Sequence, residues 1–164
     1  GLEDVRNHYN IPVVACEICS ERIQNVRDNL SSIADLVAYF KTGKTYEEKS
    51  ERFVCRPADI TFAEDYTMQW QSCSFRFVRL PGHSPGSTLI YMTEEASCAT
   101  EAASASGDTV IFTGDYLIKD EEEVLRLKGG SEEDFLKYTK GHLDDIPPGT
   151  HLYPGHGPDY VING

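Results

Sequence analysis

The sequence predicts an α/β chain, on three observations. Apolar runs that read as strands, at Phe75–Leu80, Thr109–Phe112 and His151–Tyr153, alternate with stretches of helical period. Each run then breaks on glycine or proline, at Pro81-Gly82-His83-Ser84-Pro85-Gly86, Thr113-Gly114-Asp115 and Tyr153-Pro154-Gly155-His156-Gly157-Pro158. A His or an Asp therefore stands just past each strand end, the station at which α/β folds gather their ligands.

Taken in order, Leu2, Val5 and Tyr9 give a short amphipathic helix that Asn10 ends. Ile11–Ala15 reads as a buried strand, with Pro12 tolerated near its start. Glu17–Val26 is expected to be helical, Glu17 suiting the first turn and Asp28-Asn29 marking the turn that follows. Ser32 with Asp35 resembles a capping signal. Ile33, Leu36, Val37 and Phe40 then fall on one helical face, which implies core or lid packing, and Gly43 serves as the C-cap. Residues 44–53 are charged and patternless. From Pro57 the period changes to that of strands: Ile60–Phe62, Met68–Trp70 and Phe75–Leu80 make a meander, and Ser87–Met92 leaves the His83 loop. Small polar residues in Thr93–Gly107 predict a mobile hairpin tip before Asp108–Phe112 rejoins the sheet. The acids Asp120 to Glu123 read as a solvated loop. Ser131 caps a helix running to about Lys140, with His142 near its end as a surface or capping residue. Pro147-Pro148-Gly149 turns the chain into the last strand.

Composition narrows the class of function. The 164 residues suffice for one domain with a sizeable core, and no domain boundary or internal repeat shows. A net charge of −12, from 15 basic and 27 acidic residues, disfavours nucleic acid and anionic membranes as partners. No apolar run approaches a membrane-spanning length. The five cysteines (Cys16, Cys19, Cys55, Cys73 and Cys98) are odd in number and scattered, which argues for thiols in a reducing compartment and hence a cytoplasmic location. Cys16-x-x-Cys19 lacks a second such pair, so both are expected to face the core.

Chemistry concentrates on His83, Asp115 and His156. Any one of their turn-like strings alone reads as a loop. If the three strand ends are neighbours, two imidazoles and a carboxylate converge, a donor set suited to a borderline cation such as Zn²⁺. Gly82, Gly114 and Gly155 would let the backbone come close to such an ion. Ser84 and Ser87 read as turn and strand residues, with no G-x-S-x-G string to support serine hydrolysis.

At these residues the chain resembles the metallo-β-lactamase-fold hydrolases, and in particular the hydroxyacylglutathione hydrolase (glyoxalase II)-like branch. Leu80–Ser87 is similar to that family's third metal motif, Phe112–Asp115 to the fourth, and Tyr153–Pro158 to the last His motif. Arg126–Ser131 is similar to a loop that many members carry between the fourth and fifth motifs. The resemblance implies the C-terminal portion of an αββα sandwich, a mixed sheet with flanking helices. It also implies that His83 serves one metal, His156 a second and Asp115, the catalytic residue, both. Tyr116 is expected to line the substrate mouth, where relatives commonly carry a smaller residue. The family's first motif, His-x-His-x-Asp-His, is absent, and the chain opens on what looks like the helix that follows it.

These readings yield a set of expectations. The chain is expected to be a single truncated domain spanning 1–164. Its full-length parent would be a zinc-dependent hydrolase of a thioester, ester or lactone, acting on a small-molecule substrate through a metal-activated water on two Zn²⁺. The fragment would hold one weakly bound ion or none and have little activity. A sheet face left uncovered would seek cover, with a homodimer through that face as one form. The alternatives are a noncatalytic interaction or regulatory domain with a degenerate metal site, and another enzyme of the superfamily: a lactonase, a persulfide dioxygenase or a diiron oxygen reductase.

Overall fold

The computed structural model describes residues 1–45, 51–94 and 109–163. The predicted hairpin tip falls largely outside them, as do Cys98 and much of the 44–53 stretch. The chain divides into two compact units, Gly1–Thr61 and Phe62–Gly164.

The first unit opens with α1 (Leu2–Tyr9), closed by Asn10 in the left-handed region at φ 50°. A two-stranded sheet pairs β1 (Val14–Cys16) with β2 (Ile60–Phe62). Arg6, buried in α1, reaches Asp59 at 2.6 Å and Glu3 at 3.5 Å, so its charge is compensated where solvent is excluded. The helix expected over Glu17–Val26 is shorter: α2 spans Glu17–Arg22. The reason lies in the Ile23 carbonyl, which accepts from the Cys55 N–H at 2.9 Å and the Asn29 amide at 3.2 Å. Distant residues take the acceptor that another helical turn would have used. Cys16 is buried and Cys19 half-buried, as the sequence implied.

The Ser32 capping signal is not used. Ser31–Ile33 forms a 3-10 turn, entered through Leu30 at φ 63°, and α3 (Ala34–Thr42) starts after it without a side-chain cap. Gly43 does close α3, at φ 67° with its N–H on the Tyr39 carbonyl at 2.7 Å. The apolar stripe, expected to serve core or lid packing, is not part of a core: Leu36 is 51% and Phe40 76% exposed.

The second unit is built on a six-stranded sheet in the order β3-β4-β5-β6-β7-β8. Its strands are β3 (Asp65–Trp70), β4 (Cys73–Arg79), β5 (Thr88–Glu94), β6 (Thr109–Gly114), β7 (His151–Pro154) and β8 (Tyr160–Val161). Neighbours from β3 to β6 are antiparallel, β6 and β7 are parallel, and β8 returns antiparallel. Two antiparallel steps restore direction, so β4, β6 and β7 all run the same way. Their carboxyl ends share one edge of the sheet.

The parallel β6–β7 pair needs a crossover, and the chain supplies a helical one. After the Ser131 cap, whose hydroxyl accepts from the Asp134 N–H at 3.1 Å, α4 (Glu132–Asp134) passes into a π-helical segment (Phe135–Thr139) and then α5 (Lys140–Asp144). The helix thus runs past the expected end near Lys140 and includes His142. Leu143 and Ile146 close over Val78, Leu89, Ile111 and Leu152 on one sheet face, where Leu89 and Leu152 are wholly buried. Each such leucine stabilises the unit by about 2 kcal/mol. The result is a mixed sheet with a flanking helix, the α/β class that the sequence predicted.

Candidate metal centre

Strand direction brings the three predicted donors together. His83 follows β4, Asp115 follows β6 and His156 follows β7, all at the same sheet edge. The Asp115 carboxylate lies between the imidazoles, with Oδ2 at 3.2 Å from His83 Nε2 and Oδ1 at 3.2 Å from His156 Nε2. His83 is 16% exposed, whereas Asp115 and His156 are each 43% exposed. The hydrogen bond to Asp115 holds the His83 pKa above its ordinary value, against the opposing effect of burial.

Two glycines make this approach feasible. Gly155 donates its N–H to the Gly114 carbonyl at 2.6 Å. A Cβ on Gly155 would stand 3.1 Å from that carbonyl oxygen and 3.4 Å from Asp115 Oδ1, so a side chain would push the His156 loop away. At Gly82 a Cβ would meet the Tyr116 hydroxyl and Phe135 Cβ, each at 2.8 Å. The chain around His83 is packed against a wall that leaves room only for hydrogen.

That wall corrects the expectation for Tyr116. Its side chain lines no mouth: it is 1% exposed and belongs to the core. The hydroxyl accepts from the His83 N–H and donates to the Leu80 carbonyl, both at 2.9 Å. Burial pushes the phenol pKa up, which keeps the donated proton in place. Ser84 lies in the turn, as the sequence implied, whereas Ser87, read as a strand residue, stands just before β5, and the two hydroxyls are 3.0 Å apart. His151 lies within β7 and pairs with Asp159 at 2.7 Å.

Sequence reasoning missed two contributors. Thr139, wholly buried in the π-helical segment, donates its hydroxyl to the Pro81 carbonyl at 2.5 Å and so fixes the His83 loop from the helix side. Glu123, read as one of four solvated acids, folds back: Oε1 accepts from the Leu117 N–H at 2.9 Å, while Oε2 is buried without a partner among the described residues. Its carboxyl interacts electrostatically with both His83 and Asp115, and burial raises its pKa. Nothing in four consecutive acids marks the last as different.

The donors fit a borderline cation in kind, two imidazole nitrogens and a carboxylate, each Nε2 standing 3.2 Å from one oxygen of Asp115. Their present arrangement is mutual pairing. Among the described residues no group of three or more His, Cys, Asp or Glu side chains is disposed around one point as an ion requires. An ion would take the place of the contacts that Asp115 now makes with the imidazoles. Also among the described residues, no helix is long and apolar enough to cross a membrane.

No family model matches the chain, and no curated protein matches it. Solved structures do. The chain is similar to a B3 metallo-β-lactamase named BLEG-1 (TM-score 0.65, 22% identity), covering 98% of this chain and 65% of that one. The metallo-β-lactamase fold is the fold of this chain. A class B3 di-zinc metallo-β-lactamase, LRA-12 from an Alaskan soil metagenome, gives a TM-score of 0.57 at 13% identity and covers 94% of this chain and 51% of its own. The protein TTHA1623 in a di-iron-bound form gives 0.51 at 23% identity, covering 97% and 64%. The chain therefore spans less than two thirds of each of these structures.

Proposed function

We propose that His83, Asp115 and His156 hold a divalent transition-metal ion, His83 and His156 through Nε2 and Asp115 through its carboxylate. The protein built on this fold would then hydrolyse a small thioester, ester or lactone. The observation that carries this reading is the single carboxylate presenting one oxygen to each imidazole at the shared strand-end edge. A bound ion would supply a Lewis acid for the substrate carbonyl and an acidified water. The chain's own part is to set the ligands: the loop around His83 is braced from the core, and Gly155 keeps His156 within reach of Asp115. Imidazole and carboxylate donors suit zinc, and they also suit iron, the metal that TTHA1623 holds in its di-iron-bound form. Three donors complete at most one centre, so we expect the 164-residue chain to bind one ion weakly and turn over slowly. The scattered cysteines favour a reducing, cytoplasmic setting.

A second reading is favoured by one specific observation, the pairing of the three side chains with each other. On it the chain is a noncatalytic domain whose ion pairs replace a metal. Calorimetry of the metal-stripped chain with Zn²⁺, Fe²⁺ and Mn²⁺, followed by a panel of thioesters, esters and lactones, separates the two. Saturable binding of one ion that Asp115→Ala abolishes supports the metal centre; no binding at millimolar metal supports the noncatalytic domain.

A further inference from the structure

We propose that Tyr116 is a positioning residue that fixes the spacing between His83 and Asp115 and thereby presets one side of the metal centre. The inference rests on reading the cluster as a metal site. Asp115 and Tyr116 are consecutive, and their side chains part: the carboxylate turns out to the imidazoles, while the phenol turns into the core. From there the hydroxyl spans the turn that carries His83, accepting from the His83 N–H and donating to the Leu80 carbonyl, each at 2.9 Å. One dipeptide thus grips the His83 residue twice, at its main chain through Tyr116 and at Nε2, 3.2 Å away, through Asp115.

The grip is rigid for a packing reason. Gly82 has no Cβ, and the hydroxyl oxygen occupies the space that one would fill, at 2.8 Å. Phe135 packs against the phenol ring with centroids 6.0 Å apart, so the ring cannot swing aside. The Thr139 hydroxyl holds the Pro81 carbonyl, and the Ser131 N–H holds that of Gly82 at 2.8 Å, from the same helical side. With its backbone held this way, His83 has only its own two side-chain torsions free, which lowers the ordering needed to ligate an ion. Outer-shell groups that orient a ligand typically govern metal affinity by about 10- to 100-fold.

Tyr116→Phe in the 164-residue chain tests this, because the ring stays and only the oxygen goes. The expected result is a roughly tenfold loss of Zn²⁺ affinity by calorimetry, with faster amide hydrogen exchange at His83 and an unchanged far-UV spectrum. In a His83→Ala background the same change should leave Zn²⁺ affinity unaltered, which a merely structural hydroxyl would not predict. The wild-type chain gives a check that needs no variant: because the His83 amide is already held by the Tyr116 hydroxyl, Zn²⁺ should slow its exchange less than that of His156. Equal Zn²⁺ affinity in Tyr116→Phe, or Zn²⁺ slowing exchange of the His83 amide more than that of His156, overturns the positioning role while the metal centre stands. A wild-type chain that takes up no metal overturns both.

Discussion

The two histidine loops reach the same carboxylate by different means. The His83 loop is tied from several directions: by the Tyr116 hydroxyl, by Thr139 and Ser131 from the crossover helix, and by the Ser84–Ser87 hydroxyl pair within the turn. The His156 loop continues from β7 with the Gly155–Gly114 backbone bond, and its ring is 43% exposed against 16% for His83. The contrast teaches that the centre has a preset side and a compliant side. A ligand whose backbone is already ordered spends less of its binding free energy on ordering, so His83 should dominate affinity and His156 should adapt.

The largest expected effect comes from the residue common to both loops. Asp115→Ala should reduce Zn²⁺ affinity by more than about 100-fold, beyond what outer-shell changes produce, and calorimetry measures it. A smaller loss would mean that the loops bind metal independently and that the comparison has the wrong centre. Next, His83→Ala should weaken Zn²⁺ binding more than His156→Ala, by a further factor on the order of ten. Equal losses would dissolve the distinction between preset and compliant sides. Gly82→Ala should destabilise the fold by about 2 kcal/mol through overpacking against Phe135 and the Tyr116 hydroxyl. Denaturant unfolding reads that figure, and a neutral result would show the His83 loop to be softer than its contacts imply.

The smallest effect is the dependence on pH. Asp115 stabilises protonated His83, so the His83 pKa in the fold lies above its ordinary value of 6.5. The stability that this pair contributes to the metal-free chain is therefore fully present below about pH 6.5 and is lost as pH rises through the raised value. Thermal midpoints measured across that window should fall with pH, and Asp115→Asn should flatten the slope. A slope that survives in Asp115→Asn would assign the titration elsewhere, and Glu123 would be the next group to test.

Much of this was legible in the residues because it is local. Glycine and proline breaks after apolar runs located all three strand ends, and with them His83, Asp115 and His156. Gly43 and Ser131 announced a helix end and a helix start, since capping is settled by neighbours in the chain. Misreadings fell where long-range partners intervene. The Ile23 carbonyl was taken by Cys55 and Asn29, which shortened α2. The α3 stripe had the period of a buried face, yet the fold left Phe40 open.

By itself, then, the sequence determined which residue types stand at the strand ends and that the chain alternates helix with strand, because turn chemistry and periodicity act over a few residues. Only the tertiary structure decided that Asp115 serves both imidazoles, that Tyr116 points inward to grip His83, and that Glu123 leaves its acidic neighbours for the interior. Those outcomes depend on strand order and on a helix laid across the sheet. They join positions up to 73 residues apart, from His83 to His156, and no local pattern encodes such a distance.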